Sequence, residues 1–222
     1  IMEIKITSLG SGSKGNSIIV SVGNSGILID AGFSKKNIIE RLNSVEISPD
    51  IIKSLLITHE HSDHILGARV LADTLDICTL ANESTAMALK KSNNIGKKVK
   101  VFSSGSSFKV EGFSIKPFRV SHDAIDTVGY IITYRDVSIG YAMDLGFVDN
   151  VTKSYLKECT AIILESNHDL PMLMRSKRPP HLKMRIKSRT GHLSNEQTML
   201  ALDDIITNKT KVLMLGHISG EC

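Results

Sequence analysis

The sequence predicts an α/β protein in which two β-sheets are covered by helices within a single domain, residues 1–222. Three observations carry this. A length of 222 residues is the upper end of one domain. The longest apolar runs, such as residues 55–57 and 161–164, are strand-sized. Strand-like runs come in groups with helical patterns between them, and no linker, low-complexity tract or solenoid-length repeat interrupts the series.

Taken in order, residues 4–9, 17–22 and 26–29 are β-rich runs separated by Gly/Ser/Asn turns. Residues 34–43 carry Ile38, Ile39 and Leu42 at helical spacing. Residues 54–58 form a short apolar strand that ends at a His-rich loop. Residues 63–74 then read as a helix with Ile65, Leu66, Val70 and Leu71 on one stripe. Strands follow at 77–80, 98–102 and 113–120, with a helix at 83–91 between the first two. Residues 129–134 and 137–142 pattern as a hairpin and 148–158 as a helix. The last elements are a buried-type strand at 161–165, an amphipathic helix at 194–206 and a strand at 211–215.

Composition narrows the class. With 41% hydrophobic and 23% charged residues, the chain has enough apolar surface to offset its conformational entropy, which excludes disorder as the main state. No apolar run approaches the roughly 20 residues of a membrane helix, so no membrane partner is expected. The opening IMEIKITSLG has no long apolar core and no small-residue cleavage site, so no signal peptide is read there; Ile1 ahead of Met2 reads as a cloning scar. Cys78, Cys159 and Cys222 are far apart, odd in number and without a C-x-x-C pair, which excludes a disulfide framework and a thiolate zinc site. Free thiols without an export signal point to a cytoplasmic location.

The net charge of +4 is local. Of 27 basic residues, seven (Arg175, Lys177, Arg178, Lys183, Arg185, Lys187, Arg189) fall within 171–190, which holds no acid; the other 20 stand against 23 acidic residues. Such a run is either a solvated surface helix or a contact for an anionic partner.

The chemistry sits in Thr58-His59-Glu60-His61-Ser62-Asp63-His64, directly after an apolar strand. Solvent does not demand such a cluster, and a core rejects it. Imidazole and carboxylate ligands explain it, because they suit zinc, manganese or iron. His59 and His61, two apart, can face one ion. Asp63 and His64, where the next helix begins, can turn to a second.

This pattern resembles the metallo-β-lactamase superfamily, and four further motifs match in order: Asp30 in GILIDAG, His122 in FRVSHD, Asp144 in GYAMDLG and His217 in VLMLGHIS. Taken alone, His122 reads as a hydrogen-bonded core histidine, Asp30 and Asp144 as turn residues, and His217 as a strand-end surface residue. Their order, each after an apolar strand, favours ligands. The resemblance implies an αββα sandwich with a dinuclear metal site at one edge of the sheets. It implies two divalent metal ions (Zn, Mn or Fe), one held by His59, His61 and His122, the other by Asp63, His64 and His217, with Asp144 bridging. A bridging hydroxide would be the nucleophile, and Asp30 would orient the histidine loop from behind. The superfamily continues with secondary structure after His217, so the expected sandwich lacks that C-terminal element.

Three features narrow the branch. Glu165, ending an apolar strand, and His192 in GHLS, before a helix capped by Ser194 with Gln197, look like the paired Glu and His loops of tRNase Z-type phosphodiesterases. By that likeness His192 contacts the scissile phosphate or protonates the leaving oxygen, and Glu165 positions it. The alternatives are a capping surface residue for His192 and a salt-bridge partner for Glu165. Residues 8–17, SLGSGSKGNS, form either an anion cradle of backbone N–H groups or a flexible hairpin turn. His168 and His181 read as structural or surface residues.

Together SLGSGSKGNS, THEHSDH, ESNHD, GHLSNE and LGHIS look like the YycJ/WalJ branch of the superfamily. That resemblance implies a cytosolic nuclease, a 5′→3′ exonuclease on DNA in preference to RNA. Asp63, His192 and Glu165 are its catalytic candidates, and Ser11, Ser13, Lys14, Asn16, Arg185 and Arg189 its substrate-binding candidates. With 5% aromatics and no tryptophan, base stacking is expected to be limited and binding sequence-tolerant. The rival readings are a thioester or lactone hydrolase of the same fold, as glyoxalase II is, and a non-catalytic nucleic-acid-binding protein.

Overall fold

In the computed structural model, which describes residues 3–222, the strands form two six-stranded sheets. Ile1 and Met2, where the scar is read, lie outside the described residues. The chain divides into two units. One holds the residues up to Ser103 with Lys109–Gly112 and Ala124–Asp126; the other holds Ser104–Phe108, Phe113–Asp123 and Thr127–Cys222.

The first unit runs β1 (Ile4–Gly10), β2 (Ser17–Val22), β3 (Ser25–Ile29), α1 (Lys35–Ser44), β4 (Ile52–Leu56), α2 (Ser62–Ile65), α3 (Ala68–Leu75), β5 (Cys78–Asn82), α4 (Glu83–Lys91) and β6 (Val99–Phe102). Its sheet keeps the order of the chain, antiparallel from β1 to β3 and parallel from β3 to β6. Every residue of β2 is buried, as its SIIVSV run demands. Ser34 caps α1 by accepting from the Asn37 N–H, and the helix buries only Ile38 and Leu42, four apart on one face. These pack with Leu28, Leu55, Ile57, Leu71 and Leu89 in one apolar core.

The helix expected over 63–74 is broken into α2 and α3 at Gly67. The Gly67 N–H donates to the Ala31 carbonyl at 2.9 Å. A Cβ at Gly67 would lie 2.2 Å from the Phe33 carbonyl oxygen, so only glycine lets the chain pass. The break re-phases the expected stripe. Ile65 and Leu71 are buried, but Leu66 and Val70 are 63% and 49% exposed.

The second sheet is ordered β12-β11-β10-β9-β8-β7. Its strands are β7 (Phe108–Val110), too short for the sequence pattern to register, β8 (Phe113–Arg119), β9 (Val128–Tyr134), β10 (Val137–Ala142), β11 (Ala161–Glu165) and β12 (Val212–Gly216). β8, β9 and β10 pair antiparallel, and β10, β11 and β12 parallel. α5 (Asn150–Leu156) starts after its Asp149 cap. Within the basic stretch lie two short helices, α6 (Leu170–Arg175) and α7 (Pro180–Ile186), each with proline in its first turn. α8 (Asn195–Ile205) begins with the expected capping box of Ser194 and Gln197. Phe118, Leu145, Leu156, Ile162, Leu164 and Ile205 form this unit's core. Among the described residues, no helix is long and apolar enough to cross a membrane.

Candidate functional site

In the first unit the donors gather where β3 and β4 end. Asp30 follows β3 in a left-handed conformation, φ 60°, which turns its side chain back under the histidine loop. It is fully buried. Its Oδ1 accepts the Thr58 N–H at 2.8 Å and its Oδ2 the Thr58 hydroxyl at 2.9 Å. Oδ2 also lies 2.7 Å from His64 Nδ1. Burial pushes the Asp30 carboxyl above its ordinary value, against the pull of His64 and Thr58. With Nδ1–H given to Asp30, His64 keeps its lone pair on Nε2, which faces the Asn16 amide at 3.0 Å and Asp63 Oδ2 at 3.7 Å. The His59 ring sits 4.7 Å from His61 and 4.1 Å from His64 between centroids. Glu60, the odd residue of the His-x-His pair, instead accepts the Ile125 N–H at 3.0 Å.

Gly32 makes this loop possible. The Asn16 N–H donates to the Asp63 carbonyl at 2.8 Å, and Gly32 N–H to the Asn16 carbonyl at 2.9 Å. A Cβ on Gly32 would lie 1.8 Å from that Asp63 oxygen.

In the second unit Asp144, Glu165, His192 and His217 place their ligand atoms within 4.8 Å of one another, a set able to hold a metal ion. Asp144 and His217 are again left-handed, both φ 54°, just past β10 and β12. Asp144 Oδ1 lies 3.3 Å from His217 Nε2 and 3.9 Å from His122 Nε2. His122 is oriented from behind, its Nδ1 3.2 Å from the Gly191 carbonyl. Glu165 is fully buried and spent on hydrogen bonds. Oε2 accepts the Leu145 N–H at 2.8 Å, and Oε1 accepts from His192 Nδ1 at 2.7 Å and His217 Nδ1 at 3.0 Å. It is therefore an orienting group rather than an open ligand. The His192 ring stacks on His217 at 4.9 Å. Burial opposes charge on both members of the pair, but their mutual attraction outweighs it: Glu165 lies below its ordinary value, helped by His217, and His192 above its own.

A model of the β-lactamase superfamily domain matches residues 26–218. The chain belongs to the metallo-β-lactamase superfamily. Its curated relatives include exodeoxyribonuclease YycJ of Bacillus anthracis, 36% identical over 98% of this chain and 83% of that protein. Exodeoxyribonuclease WalJ of Streptococcus pneumoniae serotype 2 is also 36% identical, over 98% and 82%. The metallo-β-lactamase fold protein YhfI of Bacillus subtilis superposes with a TM-score of 0.74 at 14% identity, covering 97% of this chain and 86% of its own. The expected fold class is thus the one the chain has.

The remaining candidates of this superfamily member sit on loops, except Arg185, which lies in α7. Ser13 and Lys14 are exposed and Ser11 half-buried. Gly12 and Gly15 spend their N–H groups inside the loop, on Asn16 Oδ1 at 2.8 Å and on the Gly12 carbonyl at 2.9 Å. Asn16 is buried, and its amide also lies 3.3 Å from Asp63 Oδ2, so it ties the Gly/Ser loop to the histidine loop. Arg185 pairs with Asp123, its Nη2 3.1 Å from Oδ1, and Arg189 lies over the Phe147 ring at 3.9 Å. His168 is buried beside Asn167, and His181 is exposed. Sequence reasoning missed Asn167, whose amide donates to the His217 carbonyl at 2.7 Å, and Thr58. Their only signal was adjacency to Glu165 and His59.

Proposed function

We propose that the chain is a dinuclear-metal-dependent phosphodiesterase acting on nucleic acid, a 5′→3′ exonuclease on DNA. In this reading His59, His61 and His122 would hold one divalent cation, Asp63, His64 and His217 would hold a second, and Asp144 would be a ligand shared by both. The donor chemistry, imidazole and carboxylate without thiolate, suits Zn, Mn or Fe. When bound, the cations supply a nucleophile from water near neutral pH and neutralise charge growing on the phosphoryl oxygens.

The chain's own residues orient and move protons. Asp30 holds His64 and Thr58, and with them the loop that carries His59. Glu165 accepts a hydrogen bond from Nδ1–H of the His192 imidazolium, which leaves its Nε2–H to protonate the leaving oxygen. The same carboxylate raises the proton affinity of His192, as a leaving-group acid requires.

The observation that carries this reading is the 2.7 Å contact between Glu165 Oε1 and His192 Nδ1, within the cluster that also holds Asp144 and His217. The exodeoxyribonuclease relatives YycJ and WalJ support DNA as substrate. The basic residues of 171–190 support contact with phosphates, which makes binding salt-sensitive. The test is incubation of the protein, loaded with Zn, Mn or Fe, with 5′- and 3′-end-labelled single- and double-stranded DNA and RNA. Release of nucleotides from DNA 5′ ends is expected. No cleavage under any metal, or faster hydrolysis of a model thioester, would overturn the reading.

A further inference from the structure

The 26 residues that separate Glu165 from His192 leave and return through a closed neck. Asn167 N–H donates to the Leu193 carbonyl at 2.9 Å, and Asn195 N–H to the His168 carbonyl at 2.8 Å. His192 N–H donates to the Ile186 carbonyl at 2.8 Å. The excursion between, α6 and α7, is locked by Lys183 Nζ, which donates to the Met174 carbonyl at 2.8 Å and the Ser176 carbonyl at 2.7 Å. Arg185 ties it to Asp123, beside His122. The two ends of the hairpin are thereby held together, one following Glu165 and the other leading to His192.

The exposed residues of the hairpin are of two chemistries. Arg175, Lys177 and Lys187 are exposed, and no acid lies within 171–190. Among them Met172, Met174 and Met184 are 47%, 49% and 57% exposed. A charge-only phosphate surface has no use for three exposed thioethers. Polarisable sulfur packs well against flat π-faces, and unpaired nucleobases present such faces beside a row of phosphates. Bases within a duplex are stacked and withheld.

We infer that the α6–α7 hairpin grips single-stranded nucleic acid, its cations on the phosphates and the thioethers of Met172, Met174 and Met184 against the bases. The inference rests on the proposed nuclease reading and deepens it. Methionine here does the work that rings do elsewhere, in a chain without tryptophan.

The experiment measures anisotropy of labelled 15-nucleotide oligothymidine and of a 15-unit abasic phosphodiester strand against the full chain, without added metal. The wild type is expected to bind oligothymidine roughly tenfold more tightly than the abasic strand. Met172→Ala/Met174→Ala/Met184→Ala removes that preference and keeps the salt dependence. Arg175→Gln/Lys177→Gln/Lys187→Gln keeps the preference and lowers the log–log salt slope by about 2 for both strands. Urea midpoints of both variants confirm folding, and single Met→Ala variants replace the triple one should it unfold. Equal affinity of the wild type for the two strands, or a methionine variant that retains the preference, overturns the inference. Nucleotide release by the metal-loaded protein without base preference overturns the hairpin role alone; base preference without cleavage under any metal overturns the nuclease reading alone.

Discussion

Asp30 Oδ2 lies 2.7 Å from His64 Nδ1 with both side chains fully buried. The contact fixes which nitrogen of His64 keeps a lone pair, and the Thr58 N–H and hydroxyl complete the carboxylate. Asp30→Ala leaves an imidazole and two donors buried without this acceptor. It is expected to destabilise the protein by about 3 kcal/mol in urea unfolding and to weaken metal uptake. Wild-type stability in that variant would mean the pair contributes nothing.

His61→Ala and Asp63→Ala separate chemistry from folding. Both side chains are only half-buried, so unfolding free energy is expected within about 1 kcal/mol of wild type. DNA hydrolysis is expected to vanish. His192→Ala is expected to lower turnover by a factor on the order of 100 or more with metal stoichiometry unchanged. Elemental analysis checks this, because loss of metal would make His192 a ligand.

Gly32→Ala drives a methyl group into the Asp63 carbonyl oxygen. We expect a loss of about 3 kcal/mol in stability together with lower metal affinity, since the Asp63 backbone must retreat. Unchanged calorimetric and metal titrations would show that the loop yields freely.

Cys159 gives a pH signature. Burial pushes its thiol up to about 11. The folded state therefore favours the neutral thiol, and its stability falls as pH rises from about 9 towards 11, by on the order of 2 kcal/mol. Cys159→Ala should lack that component of alkaline destabilisation. In the native protein at pH 8, iodoacetamide is expected to label Cys222 well before Cys159. Peptide mapping after short exposures reads the order directly.

Much of this architecture was legible where local pattern and tertiary demand agree. α4 and β11 occupy the residues their periodicity indicates, and Ser194 caps α8 as the Ser/Gln spacing requires. The interrupted helix at Gly67 was not legible, because its cause is a carbonyl on a distant loop. Nor were α6 and α7: three prolines and scattered methionines hide their periodicity. Within the site, residue types and spacing singled out the His59–His64 block, while Asp30, Asp144, Glu165, His192 and His217 became candidates only through the family resemblance; residue types could not indicate their surroundings. They could not indicate that Asn16 reaches Asp63 and His64, a contact 47 and 48 positions away. Nor could they reveal that one oxygen of Glu165 serves two imidazoles.

Asp30, Asp144 and His217 all sit in left-handed backbone at the tips of strands. For side chains with a Cβ this geometry is uphill, by about 1 kcal/mol or more each. At Asp30, glycine would relieve that strain but forfeit the buried contacts with Thr58 and His64, whose loss costs about 3 kcal/mol, so the contacts outweigh the strain they impose. Hardening of this scaffold therefore has to begin at positions whose side chains are not committed to buried partners.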